Sequence, residues 1–287
     1  MKIFLAGASG VIGRSLTPLL LEAGHEVIAL ARHVEPSTQN RVRLRWHAAD
    51  VYDRTKLEAV FAKERPDIVM HQLTDLKEQS SEANAKLRTI GTRNLVEAAL
   101  SVGVRSIVAQ SISWAYVPGE EAATEKTPLD RDAAPPRRMT IDGIVALEST
   151  VMKIPHYVTL RFGTLYGPGT WYGRDGSFAD SVRSGQLGSI PAITNFTHVD
   201  DAAEAALQAM DWPSGVVNIV DGDPARATEW LPLYAQELHV AVPSPMPTTP
   251  DLSRRVSNAL ARKLGWAPKH TTWKNGLLSA ISKEDKV

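Results

Sequence analysis

The first residues with chemistry in them are glycines. Gly7, Gly10 and Gly13 stand three apart in GASGVIG, directly after the apolar run Lys2 to Ala6. A turn of this kind needs backbone conformations that glycine adopts cheaply, and room where a side chain would stand. The helix opening behind it presents unpaired N–H groups and the positive end of its dipole, which together hold phosphate. A pyrophosphate over Gly7, Gly10, Val11, Ile12 and Gly13 is the ligand this turn predicts. The competing reading is a glycine turn that holds nothing.

Two further positions bear on a dinucleotide. The second strand ends Leu30-Ala31-Arg32-His33, and no acid follows before Glu35. An acid there would receive a ribose 2′-hydroxyl, whereas the planar fork of Arg32 suits a 2′-phosphate. NADP is therefore expected over NAD, against the alternative of a solvated surface charge. Asp50 and Val51 are placed to meet an adenine edge, although Asp50 could equally cap the following helix.

The remaining chemical groups cluster where strands end. Gln110 to Tyr116 offers the hydroxyls of Ser111 and Ser113 and the Tyr116 phenol, after the fifth strand. Tyr166 follows the sixth strand, and His71 and Gln72 close the fourth. His198 precedes Asp200 and Asp201, either of which reads as a helix cap. Thr170-Trp171-Tyr172-Gly173 could wall a bulky apolar substrate, with Trp171 as its largest ring. Each has a plainer reading as a hydrogen-bonded loop residue, a satisfied histidine or a loop anchored by its ring. No metal is expected, because the histidines are scattered and H-x-x-x-H is absent. The chain has no cysteine, which excludes disulfides, thiolate metal sites and cysteine nucleophiles. G-x-S-x-G is absent too, against a hydrolase elbow.

These groups need a scaffold, and the hydrophobic pattern supplies one. Strands are expected at Lys2 to Ala6, Glu26 to Ala31, Arg43 to His47, Asp67 to His71 and Ser106 to Ala109. Helices alternate with them after Val11, over Thr55 to Ala62 and over Ser81 to Val102, with Gly24 and Gly103 as stops. Such alternation makes βαβ units and a doubly wound parallel sheet of Rossmann type. Val117 to Pro136 reads as a long surface excursion, of the kind often used as a lid. A helix over Met139 to Lys153, a strand over Tyr157 to Phe162 and a Gly-rich loop over Tyr166 to Gly176 follow. A helix over Ala202 to Met210, a strand over Val216 to Val220, a Pro-rich linker over Pro243 to Pro250 and two final helical stretches complete the chain. The expected division is a nucleotide-binding core over 1–165 and a smaller, interleaved substrate-binding lobe over 166–287.

Across 287 residues, 43% are hydrophobic and 22% charged, enough for a sizeable core. Lys plus Arg and Asp plus Glu both number 32, so no generic grip on nucleic acid or acidic membranes is expected. No apolar run approaches the roughly 18 residues of a membrane span, and the N-terminus reads as a strand rather than a signal peptide. A soluble, cytoplasmic protein is expected.

GASGVIG, Ala49-Asp50, GTRNLVEAA at Gly91 to Ala99, LRFGTLYGPG at Leu160 to Gly169 and HVDDAAEA at His198 to Ala205 occur in this order. Together they resemble the NAD-dependent epimerase/dehydratase group of the extended and atypical short-chain dehydrogenases/reductases, over nearly the whole chain. The resemblance implies a Tyr and a Lys four apart on the helix after the fifth strand. The Lys and the cofactor lower the Tyr pKa for acid–base work. Aligned on Glu148, those positions fall on Thr140 and Ile144. The implied Ser/Thr position, four residues before Tyr116, falls on Ile112, flanked by Ser111 and Ser113. The usual roles are empty or displaced, so Tyr116 or Tyr166 would have to deliver the proton, with Ser111 or Ser113 holding the substrate oxygen. His71, Gln72, Thr140, Trp171 and His198 are the candidate substrate contacts.

The expected function is an NADP-dependent oxidoreductase moving hydride to or from a small carbonyl or hydroxyl compound. A non-redox isomerase, dehydratase or cyclase on the same fold, or a dinucleotide-sensing regulator, are the alternatives. By analogy with relatives, a homodimer through the helices over Ser81 to Val102 and Met139 to Lys153 is the expected assembly.

Overall fold

The computed structural model describes residues 1–34, 42–75, 80–185, 192–244 and 253–282. Glu35 and most of the Pro-rich stretch Pro243 to Pro250 lie outside the described residues. The first half alternates as expected: β1 (Lys2–Ala6), α1 (Val11–Glu22), β2 (Glu26–Ala31), β3 (Leu44–Ala48), α2 (Arg54–Glu64), β4 (Ile68–His71), α3 (Ser81–Lys86), α4 (Thr92–Ser101) and β5 (Ser106–Ile112). Next come α5 (Arg137–Val151), β6 (His156–Phe162), β7 (Thr164–Tyr166), α6 (Ser177–Arg183), β8 (Ile193–Thr194), β9 (Phe196–His198) and α7 (Val199–Gln208). The chain finishes with β10 (Gly215–Ile219), β11 (Ala225–Arg226), α8 (Ala227–Glu237), α9 (Ala259–Lys263) and α10 (Trp273–Ser282).

Seven strands form one sheet in the order β10-β6-β5-β4-β1-β2-β3, the doubly wound arrangement that the alternation implied. β1 pairs in parallel with β2 and β4, and the β2–β3 and β4–β5 pairs are parallel as well. β1 and β2 are buried almost throughout, as strands covered on both faces must be.

The chain divides into two compact units of interleaved segments. The first comprises residues 1–115, 129–161 and 203–217; the second comprises 116–128, 162–202 and 218–287. In the first unit Phe4, Leu30, Val51, Leu57, Phe61, Leu95, Ile107 and Val151 belong to one apolar cluster. Phe4 stacks on Phe61 with centroids 4.2 Å apart. The second unit has its own core, in which Tyr166, Phe196, Trp230, Tyr234, Trp273 and Leu277 pack together.

Several local features depart from the expectations. The helix over Ser81 to Val102 runs through as expected but carries a π turn over Leu87–Gly91, between α3 and α4. The cap on α2 is Asp53, whose carboxylate accepts from Lys56 N at 3.1 Å; Asp50 instead accepts from Tyr52 N in a local turn. The short strands β7 and β9 pair in parallel. Helix α8 was not expected, since Pro232 interrupts its pattern; Arg226 N donates to Glu229 Oε2 at its start. The surface stretch after Val117 is pinned to its own unit by Val117 N to Pro128 O and Ala123 N to Arg255 O. Among the described residues, no helix is long and apolar enough to cross a membrane.

Candidate functional site

The glycine turn is built as its spacing demanded. Gly7 has φ of +94°, and a Cβ there would stand 2.5 Å from the Gln72 carbonyl oxygen. At Gly13 a Cβ would run into the Gly7 oxygen and the Ala8 backbone. Gly10 N donates to Gly7 O at 3.0 Å, closing the turn. No side chain caps α1 and no acid lies in its first turn, so the helix end keeps its amides and its positive potential for an anion. Ile12 is buried against the core and Val11 is half-buried.

Beside the turn, an open cleft is lined by residues that include Arg32, Asp50, Val51, Tyr52, Leu73 and Asp75. Asn94 on α4 steadies its wall, donating from Nδ2 to the Val51 carbonyl at 3.1 Å. Arg32 is 53% exposed and meets Asp75 at 3.8 Å, which leaves most of its fork open. Gln72 is buried, yet among the described residues neither atom of its side-chain amide has a partner. A buried amide left so costs free energy unless something completes it. The glycine cradle, the open helix end, the cleft and this orphaned amide all fit a dinucleotide.

His71 is fully buried, and its Nε2 lies 2.9 Å from Thr92 Oγ1. Burial pulls its pKa down to about 4, so the ring is neutral at physiological pH. Ser111 donates to Glu148 Oε1 at 2.8 Å, and Arg161 binds the same carboxylate from Nε at 2.9 Å and Nη2 at 2.6 Å. Ser111 and Glu148 are thus tied into a buried ion-pair network. Ser113 lies in a 3₁₀ turn with 1% exposure. On α5, Thr140 is half-buried and Ile144 fully buried.

The second unit holds the other candidates. Tyr116 is buried and donates to Asn218 Oδ1 at 2.6 Å, while Asn218 N donates to Glu125 Oε1 at 2.9 Å. Tyr166 is fully buried; its hydroxyl has no partner among the described residues, and burial with Asp221 and Asp201 nearby pushes its pKa up. Its ring packs edge-on against Phe196 and His198. Trp171 is 38% exposed, whereas Tyr172 turns inward onto Phe178.

His198 is buried and stacks on His270 with centroids 3.6 Å apart. Burial and then His270 lower its pKa. Asp201 accepts from Lys269 N, His270 N and His270 Nδ1, at 2.7, 2.9 and 3.0 Å. It therefore anchors the segment before α10, a role its place at the start of α7 did not announce. The fold gathers His198, Asp201 and His270, with donor atoms within 4.8 Å of one another, so these histidines are not scattered. The Asp201 oxygens are already committed to those three donors.

One charged residue escaped the sequence reading. Arg88, in the π turn, is 7% exposed, and among the described residues it makes no hydrogen bond and no ion pair. Its signal was present: Asn84, Arg88, Gly91 and Leu95 follow helical spacing on a stripe that is otherwise core.

Residues 3–220 match the NAD-dependent epimerase/dehydratase family. A 3-diazoavenalumate denitrifying reductase from a Streptomyces species is 39% identical, over 96% of this chain and 99% of that protein. The dTDP-6-deoxy-L-talose 4-dehydrogenase (NAD(P)(+)) of Kitasatospora kifunensis is 26% identical, over 94% of this chain and 92% of its own. The crystal structure of the Bordetella bronchiseptica enzyme WbmG in complex with NAD has the same fold, with a TM-score of 0.80 at 21% identity, covering 98% and 93% of the two chains. With the glycine turn, the cleft and the doubly wound sheet in place, the chain belongs to the NAD-dependent epimerase/dehydratase family, an enzyme of the short-chain dehydrogenase/reductase superfamily with a nicotinamide dinucleotide as cofactor.

Proposed function

We propose that this enzyme is an NADPH-dependent reductase whose substrate is an organic acid bearing a diazonium group, which it replaces by hydrogen with loss of dinitrogen. The end-to-end match to a diazo-reducing relative, at 39% identity, carries this reading. The chemistry of α5 supports it. A carbonyl that accepts hydride becomes an alkoxide and needs a proton, which is the task of a Tyr/Lys pair. A diazonium carbon that accepts hydride loses N2 and leaves a neutral C–H product, so atoms and charge balance with no proton delivered. Thr140 and Ile144 suit that demand: Ile144 carries no proton at all.

The glycine turn and the α1 N-terminus would hold the pyrophosphate over Gly7, Gly10, Val11, Ile12 and Gly13. Arg32 would take the 2′-phosphate, Asp50 and Val51 would flank the adenine, and the Gln72 amide would complete its bonds on the cofactor. The reduced nicotinamide supplies the hydride when bound. The first unit's task is then positioning, and the apolar cluster of Ala115, Ile141 and Ile144 offers no proton donor at the α5 position.

The test is incubation with deuterated NADPH and a diazotised aminobenzoate carrying a heavy-nitrogen label, against an enzyme-free control. Labelled N2 and deuterium at the former diazo carbon, both above the control, are expected. Reduction of carbonyl compounds with the diazo compound untouched would overturn the reading and return the search to a proton donor.

A further inference from the structure

We propose that Arg88 is the substrate's anion receptor, a buried guanidinium that takes the carboxylate of the organic acid. Arginine is seldom shut away from water unless it is paired. Arg88 is 7% exposed, yet among the described residues no carboxylate, carbonyl or hydroxyl receives its donors. Burial moves its pKa down to about 10, and among the described residues no acid offsets the shift. The group therefore stays cationic at neutral pH while lacking a partner. An uncompensated buried charge is costly, and the anion of a ligand would compensate this one.

The local backbone is shaped around this side chain. Leu87–Gly91 is a π turn, an irregularity common at functional positions. Facing it, α5 has Gly143, where a Cβ would lie 3.2 Å from the Ala85 Cα and 3.5 Å from the Arg88 Cδ. The glycine thus gives the α3 backbone and the Arg88 stem their room. It immediately precedes Ile144 and lies three residues past Thr140, the two positions where the acid–base pair is missing. Arg88 thus places a buried cation on the π turn, opposite the stretch of α5 that carries Thr140 and Ile144. A guanidinium presents two parallel N–H groups to a carboxylate, a geometry that fixes orientation as well as charge.

The inference rests on the proposed reading only for the nature of the acid. Binding is measured with the NADP-loaded enzyme by calorimetry, using cinnamate and its amide as diazo-free probes. Wild type should bind the acid and discriminate against the amide by at least about tenfold. Arg88→Met should abolish that preference, and Arg88→Lys should restore part of it. NADPH affinity, read from nicotinamide fluorescence, should be unchanged in both variants. Equal binding of acid and amide by wild type would overturn the proposal without any variant. A folded Arg88→Met that keeps the preference would overturn it too. If NADPH binding collapses in the variants, the guanidinium serves a cofactor phosphate and the proposal falls. A preference for the acid with no diazo reduction would sink the diazo reading alone. Diazo reduction indifferent to the carboxylate would sink the Arg88 assignment alone.

Discussion

Tyr116 and Tyr166 each bury a phenol, and the two differ in what the hydroxyl touches. Tyr116 gives its proton to Asn218 Oδ1, and removing the hydroxyl orphans that buried oxygen. Among the described residues Tyr166 has no such partner, so removing its hydroxyl takes away an unsatisfied polar group. Tyr116→Phe should therefore lower stability by about 1–2 kcal/mol, and Tyr166→Phe should leave it unchanged or raise it. If hydride transfer needs no protein proton, both variants keep turnover within about twofold of wild type per folded molecule. Thermal melts and NADPH consumption by the same samples check both statements, and a large loss of kcat in either variant would restore that phenol to the chemistry. Arg32 allows a second test at this scale: if its fork takes the 2′-phosphate as proposed, Arg32→Ala should weaken NADPH binding by about tenfold or more and leave NADH binding nearly unchanged. Arg32 was singled out as a candidate because the end of β2 has a known task in this fold. Arg88 was not, because a charge within a long amphipathic helix passes for a solvated one until its neighbours on the stripe are seen to be buried.

Elements came through the sequence where their pattern is local. β1, β2 and β4 are short apolar runs between turn signals, and the bounds of β2 and the end of β4 fall as expected. The π turn did not come through, because it adds a residue within a helix without breaking the apolar stripe. Nor did β7, β9 and α8, whose strands have three residues each and whose helix contains Pro232; tertiary packing against Phe196 and Trp230 decides those. The glycine facing the π turn turns this into a prediction. Gly143→Ala gains about 1 kcal/mol in helix propensity. It also drives a methyl to within 3.2 Å of the Ala85 Cα, part of a helix backbone that cannot rotate away. Overpacking of that kind costs about 1–3 kcal/mol, so the net effect should be a lower melting temperature. A melting temperature above wild type would mean that α3 and α5 part easily.

At the scale of the whole molecule, net charge is zero and says little about pH. Two buried groups, one in each unit, say more. His71 has its pKa lowered to about 4 by burial, against about 6.5 for a free histidine. Between those values the unfolded chain binds a proton that the folded one refuses, so the His71 contribution is lost as pH falls through that window. Asp221 behaves in the opposite sense. Burial raises its pKa to about 7, and its Oδ2 has no partner while the other oxygen accepts from Asp223 N. From about pH 4 to about 7 the folded chain holds a proton that the unfolded chain has released. Stability from Asp221 is therefore present in acid and lost as pH rises through 7. The first unit loses stability on the acid side and the second on the basic side. Asp221→Asn keeps the accepting oxygen and removes the charge. It should melt close to wild type at about pH 4 and a few degrees higher at about pH 8, where the wild-type carboxylate is ionised in a buried setting. A gap that stays constant from pH 4 to about 8 would mean that the Asp221 carboxylate is not held neutral by its surroundings.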